Sequence, residues 1–233
     1  MIIRSARLPI AVDLPGMQAD VAALPDRWTP HFQKMHYDGE WRVLPLRSIE
    51  NSVDPTVPCA LDARDAAASR YAATPLLAAC PTIARFLDSL ECAVMSARLL
   101  SLRRGATIKP HRDVELAFER GEARLHVPIF TNPDVQFFVE DERIVMEGGS
   151  CWYINANLTH RVANRGDDDR IHLVVDCGVN DWLRGRFAAG DRSYTAARRD
   201  PHEAQQMIER LREMNTPAAR EIIVQLEAEL AGR

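Results

Sequence analysis

The chain lacks the cysteine pattern of a disulfide framework or of a structural zinc site. It has five cysteines among 233 residues, an odd number, and none lies in a C-x-x-C pair. This predicts a reducing, cytoplasmic setting. No apolar run approaches the length of a membrane-spanning helix, and the apolar stretch at the N-terminus is too short for a signal peptide. We therefore expect a soluble protein without a membrane partner.

A strong excess of one charge is also lacking. The formal net charge is −4, and charged residues make up 27% of the chain, so no global field favours nucleic acid. Hydrophobic residues make up 46%, which is ordinary for a globular protein. The length suits one sizeable domain, or a domain with an appendage.

Short β-prone segments separated by turn residues fill the middle of the chain, from Val94 to Asp176. Their regular spacing predicts a β-sandwich or barrel. Before it we predict a strand over Ile2 to Leu8, followed by a turn in which Pro15-Gly16 breaks the regular secondary structure. Residues 51–74 are expected to loop out, as a lid or as a plain loop.

Two amphipathic helices are predicted at the C-terminus. The first begins at Asp200-Pro201, the second begins at Thr216-Pro217, and Gly232 marks the end. We assign residues 1–185 to a β domain with N-terminal strands and helices, and residues 186–233 to a C-terminal helical extension. The extension either packs on a sheet, which is the simpler interpretation, or forms a homodimer surface.

A candidate metal site consists of His111, Asp113 and His160. Side chains two apart on a strand share one face, so His111 and Asp113 can converge on one ion. Two imidazoles and one carboxylate suit Fe(II) and leave positions for a cosubstrate and O2. The alternative is a surface ion pair between His111 and Asp113, with His160 unrelated to it. The spacing of the residues alone supports the two interpretations equally. A zinc hydrolase would accept the same ligands, although H-E-x-x-H is lacking.

Three arginines, which lie inside apolar strands, are further candidate site residues. Arg170 could hold the 5-carboxylate of 2-oxoglutarate through its planar guanidinium, or it could pair with the acidic run Asp167 to Asp169. Arg124 and His126 share one strand face, either inside the barrel or on a solvent-facing edge. Arg98 is likewise a functional anchor or a solvent-facing residue.

The chain resembles the aspartyl/asparaginyl β-hydroxylase family of 2-oxoglutarate oxygenases, including the bacterial members similar to proline cis-4-hydroxylase. The resemblance covers roughly residues 28 to 182 and rests on an ordered series of stretches: Gly39-Glu40-Trp41, Gly105 to His111, Arg124-Leu125-His126, Glu147-Gly148-Gly149 leading to His160, and Arg170 to Asp176.

The resemblance implies a mainly β, double-stranded β-helix (jelly-roll or cupin-like) core with flanking helices. It also implies that His111 and His160 bind iron, that Arg170 holds the 5-carboxylate, and that Arg124 and His126 lie in the cosubstrate pocket.

The chain also departs from the family pattern. The animal members carry a glycine where this chain has Asp113, a serine where it has Leu100, and a tryptophan where it has Arg47. Arg98 could take over a substrate or cosubstrate contact. Asp113 completes a ligand triad, as in the proline-hydroxylase-like members.

These features predict a cytoplasmic Fe(II)- and 2-oxoglutarate-dependent dioxygenase that hydroxylates an amino acid or derivative. Arg47, Arg98 and Arg112 are candidate anchors for a substrate carboxylate. Trp41, Trp152 and Trp182 are expected in the core rather than as a substrate platform. The alternatives are a non-enzymatic cupin-like module that binds a small acid or a metal, the zinc hydrolase, and a hydroxylase of Asp or Asn side chains in proteins.

Overall fold

The computed structural model describes residues 1–50, 54–56, 71–113, 116–196 and 201–231. Most of the predicted loop or lid at 51–74 lies outside these residues. The strands of the described part are β1 (Ile2–Leu8), β2 (Thr29–Pro30), β3 (Tyr37–Asp38), β4 (Trp41–Ile49), β5 (Tyr71–Ala73), β6 (Val94–Leu102), β7 (Thr107–His111), β8 (Glu122–Phe130), β9 (Val135–Val139), β10 (Glu142–Arg143), β11 (Cys151–Ile154), β12 (His160–Asn164), β13 (Arg170–Gly178) and β14 (Asp191–Thr195).

Eight consecutive strands, β6 to β13, form a jelly roll. Four of them lie in a large sheet in the order β11-β8-β13-β6, and four lie in a small sheet in the order β10-β9-β12-β7. All neighbours in this core pair antiparallel. Successive strands mostly alternate between the sheets, which is how a double-stranded β-helix winds. The predicted fold class is confirmed.

The remaining strands extend both sheets. β14 and β1 lie beyond β11, while β4 follows β6 and pairs with β2 and β5; β3 adds to the small sheet beside β7. The large sheet is therefore wide, and β8 and β13 lie in its interior. An interior strand of a covered sheet has no solvent-facing side, which rules out the edge-strand alternative for Arg124 and His126.

The central strands of the large sheet follow a period of two. On β8, Ala123, Leu125 and Val127 join the hydrophobic core, whereas Arg124 and His126 point the other way and line a cavity between the sheets. β6 and β13 repeat the pattern. One face of the large sheet therefore carries the apolar core, and the other carries polar groups.

Three helices pack against the apolar face: α1 (Leu14–Ala23), α2 (Pro81–Asp88) and α3 (Asp181–Ala189). They contribute Met17, Ile83 and Leu183, among others, to the same core cluster. This layer separates the core from solvent, so the polar face can be devoted to a site.

The predicted break at Pro15-Gly16 is wrong, because both residues lie in the first turn of α1. The side chain of Asp13 caps this helix by accepting a hydrogen bond from the Gly16 N–H at 3.0 Å. A proline in the first turn loses no helical hydrogen bond, and the Asp13 cap outweighs the low helix propensity of Gly16.

The predicted C-terminal helices are present as α4 (Pro201–Met214) and α5 (Pro217–Ala231), while Asp200 and Gly232 lie outside the described residues. The two helices contact each other, and Arg212 pairs with Glu227 at 2.8 Å. Contacts divide the chain into Ile3–Tyr194 and a second unit that includes both helices. The predicted boundary after residue 185 stays a prediction. No helix in the described ranges is long and apolar enough to cross a membrane.

Candidate active site

The three predicted metal ligands come together. The antiparallel register of β7 and β12 sets His111 directly opposite His160, although 48 residues separate them in the sequence. The backbone N–H of Asp113 donates to the Ala156 carbonyl at 2.9 Å, which fixes the chain just after β7. One ligand atom from each of the three side chains lies within 4.8 Å of the other two.

Backbone carbonyls orient both imidazoles. Nδ1 of His111 lies 2.8 Å from the Lys109 carbonyl oxygen, and Nδ1 of His160 lies 3.0 Å from the Leu158 carbonyl oxygen. A carbonyl only accepts, so each Nδ1 carries the proton. Nε2 of each ring is then a lone-pair donor, and this arrangement is typical of metal-binding histidines.

The electrostatics keep the ligands in metal-binding protonation states. Burial lowers the pKa of His160 to about 4, and the neighbouring His111 adds to that effect. Burial alone would raise the pKa of Asp113, but Arg124 and the two histidines hold that pKa below its usual value. At neutral pH, therefore, His160 is a neutral imidazole and Asp113 is a carboxylate.

A small cavity lies between the sheets and is lined by the metal ligands. Arg170 and His126 line it as well. Nη2 of Arg170 lies 2.8 Å from Nδ1 of His172, and burial lowers the pKa of Arg170 to about 9. Burial and the charge of Arg170 lower the pKa of both His126 and His172 well below the ordinary value, so both rings are neutral.

These groups have unused hydrogen-bonding capacity. Within the described part of the chain, Nε of Arg170, both ring nitrogens of His126 and Nε2 of His172 are buried without a hydrogen-bond partner. Buried polar groups normally have partners. A cationic group and a neutral imidazole beside a metal triad fit a dicarboxylate such as 2-oxoglutarate.

Arg124 is engaged differently from the expected cosubstrate contact. Its Nε and Nη2 donate to the two carboxylate oxygens of Asp176, at 2.6 and 3.0 Å. Its Nη1 donates to Oδ2 of the metal-ligand candidate Asp113. Nη1 of Arg98 also donates to Asp176, at 3.1 Å, and to Ser96, at 2.7 Å. A buried network thus joins both arginines to two carboxylates.

The other two arginines that were candidate carboxylate anchors, Arg47 and Arg112, have hydrogen-bond partners within the protein. Nε of Arg47 donates to the Val94 carbonyl at 3.0 Å, and Nε of the exposed Arg112 donates to Thr159 at 3.0 Å. Asp169 pairs with Arg103 at 3.1 Å. Within the described residues, therefore, Arg170 does not form an ion pair with the acidic run that precedes it.

Sequence reasoning missed part of the cavity wall. Trp41, expected in the core rather than as a substrate platform, lines the cavity and stacks on the buried His31, with 3.5 Å between ring centroids. His36 lies edge-on to His111, with 5.4 Å between ring centroids. No motif marks His31 or His36, and the signal available was their proximity to the Gly39-Glu40-Trp41 stretch.

A jelly roll whose inner cavity is lined by two histidines and a carboxylate has the ligand set of a metal-dependent oxygenase. The family model described as aspartyl/asparaginyl β-hydroxylase matches residues 15–178, more than half of the chain. The chain belongs to this family, as the resemblance predicted.

Individual proteins share limited sequence identity with the chain. An L-proline cis-4-hydroxylase of Rhizobium meliloti (strain 1021) is 31% identical over 106 residues, which are 45% of this chain and 38% of that protein. The chain thus spans well under half the length of this curated relative.

Among solved structures, a 2OG-Fe(II) oxygenase-family oxidoreductase from Burkholderia pseudomallei is 13% identical, with a TM-score of 0.46 and coverage of 71% of this chain and 77% of that chain. A Pseudomonas putida prolyl-4-hydroxylase is 12% identical, with a TM-score of 0.42 and coverage of 76% and 94%.

Proposed function

We propose that the protein is an Fe(II)- and 2-oxoglutarate-dependent dioxygenase that hydroxylates an unactivated C–H bond of an amino acid or amino-acid side chain. The observation that carries this proposal is the convergence of His111, Asp113 and His160 within 4.8 Å. Nε2 of both rings is free for a metal because each Nδ1 lies against a backbone carbonyl.

His111, Asp113 and His160 would hold the iron. Bound Fe(II) would activate O2, which is the oxidant, and 2-oxoglutarate would supply two of the four electrons: one atom of O2 would enter the substrate, and the other would enter the succinate that forms as CO2 leaves. The residues of the chain do the rest, because they bind, orient and neutralise the reactants.

Arg170 would hold the 5-carboxylate of 2-oxoglutarate. It is 2% exposed and has a free Nε donor, and a buried guanidinium gains most from a carboxylate that pairs with it. His126 would contribute a neutral donor along the same cavity. Because these groups lie on β8 and β13 of one sheet, their positions are set by strand register rather than by a loop.

An amino acid or a small derivative is the substrate class that we favour. Arginine side chains in the cavity lining suit a carboxylate, and Trp41 gives the cavity an aromatic wall. The relative named as an L-proline cis-4-hydroxylase supports a free amino acid over a protein side chain. A cytoplasmic location and a homodimer through the C-terminal helices belong to the same proposal.

The test is an incubation of the purified protein with Fe(II) and 2-oxoglutarate under anaerobic conditions, followed by oxygen. Succinate and hydroxylated product are measured across a panel of free amino acids and a panel of Asp- and Asn-containing peptides. We expect succinate with at least one free amino acid, and none from His160→Ala, which removes a ligand.

Each other outcome points elsewhere. Product only from peptides would identify a protein hydroxylase. Activity with Zn(II) but not Fe(II) would identify a hydrolase. Neither succinate nor product, with a partner interaction that survives His111→Ala, would leave the non-enzymatic binding module.

A further inference from the structure

Asp176 is a buried acidic group that the proposed reaction does not use. It lies on β13, opposite Ser96 of β6 on one side and Arg124 of β8 on the other. Its side chain is almost fully buried, which is rare for a carboxylate unless it is paired.

Four hydrogen bonds hold this carboxylate. Oδ1 accepts from Nε of Arg124 at 2.6 Å. Oδ2 accepts from Nη2 of Arg124 at 3.0 Å, from Ser96 at 2.9 Å and from Arg98 at 3.1 Å. The Arg124 guanidinium is thus bound along one edge by both carboxylate oxygens, a geometry that fixes the plane of the group.

The opposite side of that guanidinium faces the metal site. With Nε and Nη2 on Asp176, Nη1 of Arg124 donates to Oδ2 of Asp113. The other oxygen, Oδ1, is turned toward His111, 3.9 Å from its Nε2. Asp176 is too far along the network to touch the ligands, so any effect it has on them passes through Arg124.

We propose that Asp176 is a positioning residue, which acts through Arg124 to hold Asp113 with a single oxygen available to the metal. This inference rests on the proposed function, because it assumes that the three ligands bind iron. A carboxylate can bind a metal through one oxygen or through both. If Oδ2 stays with Arg124, coordination positions are kept for 2-oxoglutarate and O2.

Charge gives a second reason for this arrangement. A guanidinium beside a divalent cation repels it, and the repulsion is strong in a buried site. Asp176 supplies the negative charge that offsets Arg124, so Arg124 can orient Asp113 without opposing the metal. Groups of this kind, which contact a ligand rather than the metal, typically change metal affinity by 10- to 100-fold when removed.

The experiment measures metal affinity directly. Protein stripped by a chelator is titrated with Co(II) in competition with a chromophoric chelator. We expect Asp176→Asn to weaken Co(II) binding by about 10- to 100-fold. Ser96→Ala is the matched control: it removes the hydrogen bond that a neutral hydroxyl donates to the same carboxylate, together with the one that Ser96 accepts from Arg98, but it leaves the path to Asp113. Co(II) binding should therefore change by less than about tenfold.

A double-mutant cycle tests the route. In an Asp113→Ala background, Asp176→Asn should cause a smaller loss of Co(II) affinity than in the wild type, because the residue it positions is gone and only the effect of the Arg124 charge remains. The proposal is overturned if Asp176→Asn binds Co(II) like the wild type, if Ser96→Ala loses as much, or if the loss is the same without Asp113.

Asp176→Asn leaves two buried arginines with less compensation and could fail to fold, which circular dichroism would reveal. Arg124→Lys then decides, because it keeps the charge opposite Asp176 but lacks the rigid planar guanidinium that binds Asp176 through two nitrogens and Asp113 through the third. It should lose Co(II) affinity to the same extent, and wild-type affinity would refute the proposal. A wild-type protein that binds Co(II) but turns over no substrate would fail the proposed function and not this inference.

Discussion

Replacement of Arg170 by methionine should make the protein more stable in the absence of cosubstrate. Methionine is also long and unbranched, so the change removes the charge with little loss of packing. The Arg170 side chain is among the largest fully buried ones, and it has no carboxylate partner within the described residues. A buried charge of this kind is a cost to folding that a bound ligand can repay.

The magnitude follows from the pKa of Arg170. Burial lowers it to about 9 from the usual value of about 12.5, and at about 1.4 kcal/mol per pKa unit the difference corresponds to roughly 5 kcal/mol. The guanidinium remains charged at pH 7, since pH 7 lies below the folded pKa, so the full cost applies there.

The His172 hydrogen bond and the Phe137 ring, 5.8 Å from the guanidinium carbon, are lost in the variant. The net gain in the free energy of unfolding should therefore be smaller, about 1–4 kcal/mol.

The assay is urea unfolding of wild type and Arg170→Met with Zn(II), which binds without redox chemistry, in the presence and absence of 2-oxoglutarate. At 100 times its Kd, 2-oxoglutarate should stabilise the wild type by about 2.7 kcal/mol and the variant by far less. The gap between the two proteins should therefore close or reverse when the cosubstrate is added.

Two results would contradict this reasoning. One is an Arg170→Met variant that is no more stable than the wild type without cosubstrate. The other is equal stabilisation of both proteins by 2-oxoglutarate. The control is Arg112→Met at an exposed position, which should change stability by no more than about 0.5 kcal/mol and keep the full response to the cosubstrate.

Two further predictions concern the frame of the site. Gly39 has φ +82°, and a Cβ there would lie 2.9 Å from the Ala106 Cβ, whereas Gly105 has φ +76° and open space around it. Urea unfolding should therefore show a larger loss of stability for Gly39→Ala than for Gly105→Ala. Equal losses would mean that the close approach to Ala106 costs nothing. Burial alone would raise the pKa of Asp176, but Arg124 and Arg98 hold that pKa well below its usual value. The ionised carboxylate therefore stabilises the fold fully above about pH 4, the usual pKa of an aspartate in the unfolded chain, and this stabilisation is lost as the pH falls through the pKa in the folded state. The stability difference between wild type and Asp176→Asn should therefore shrink below about pH 4 in urea unfolding at a series of pH values, and a constant difference would show that ionisation of Asp176 does not stabilise the fold.

The sequence predicts the core strands well because they carry a local signal, while their arrangement as a jelly roll came from the family resemblance. β8 and β13 are short, β-prone and bounded by turn residues, and their period of two separates the apolar face from the polar one. The helix α1 was missed for a physical reason: Pro15 and Gly16 break a helix in its interior but are tolerated in its first turn, where Asp13 supplies the cap.

The metal ligands could be predicted only in part. His111 and Asp113 share a face by local periodicity, whereas His160 reaches them through the pairing of β7 with β12, which no local pattern encodes. The family resemblance supplied that long-range link. His31 and His36 lie on a segment without a motif, and only the tertiary fold brings them beside Trp41 and His111.

The roles of the arginines depend on partners, which periodicity does not specify. Three buried guanidinium groups, those of Arg98, Arg124 and Arg170, share the inner face of the large sheet with the carboxylate of Asp176. Asp176 binds the first two, and Arg124 also binds Asp113. Arg170 is left with a neutral imidazole as its hydrogen-bond partner. Since a buried cation is costly without a counter-charge, the arginine that the fold leaves unneutralised is the one best suited to an incoming dicarboxylate.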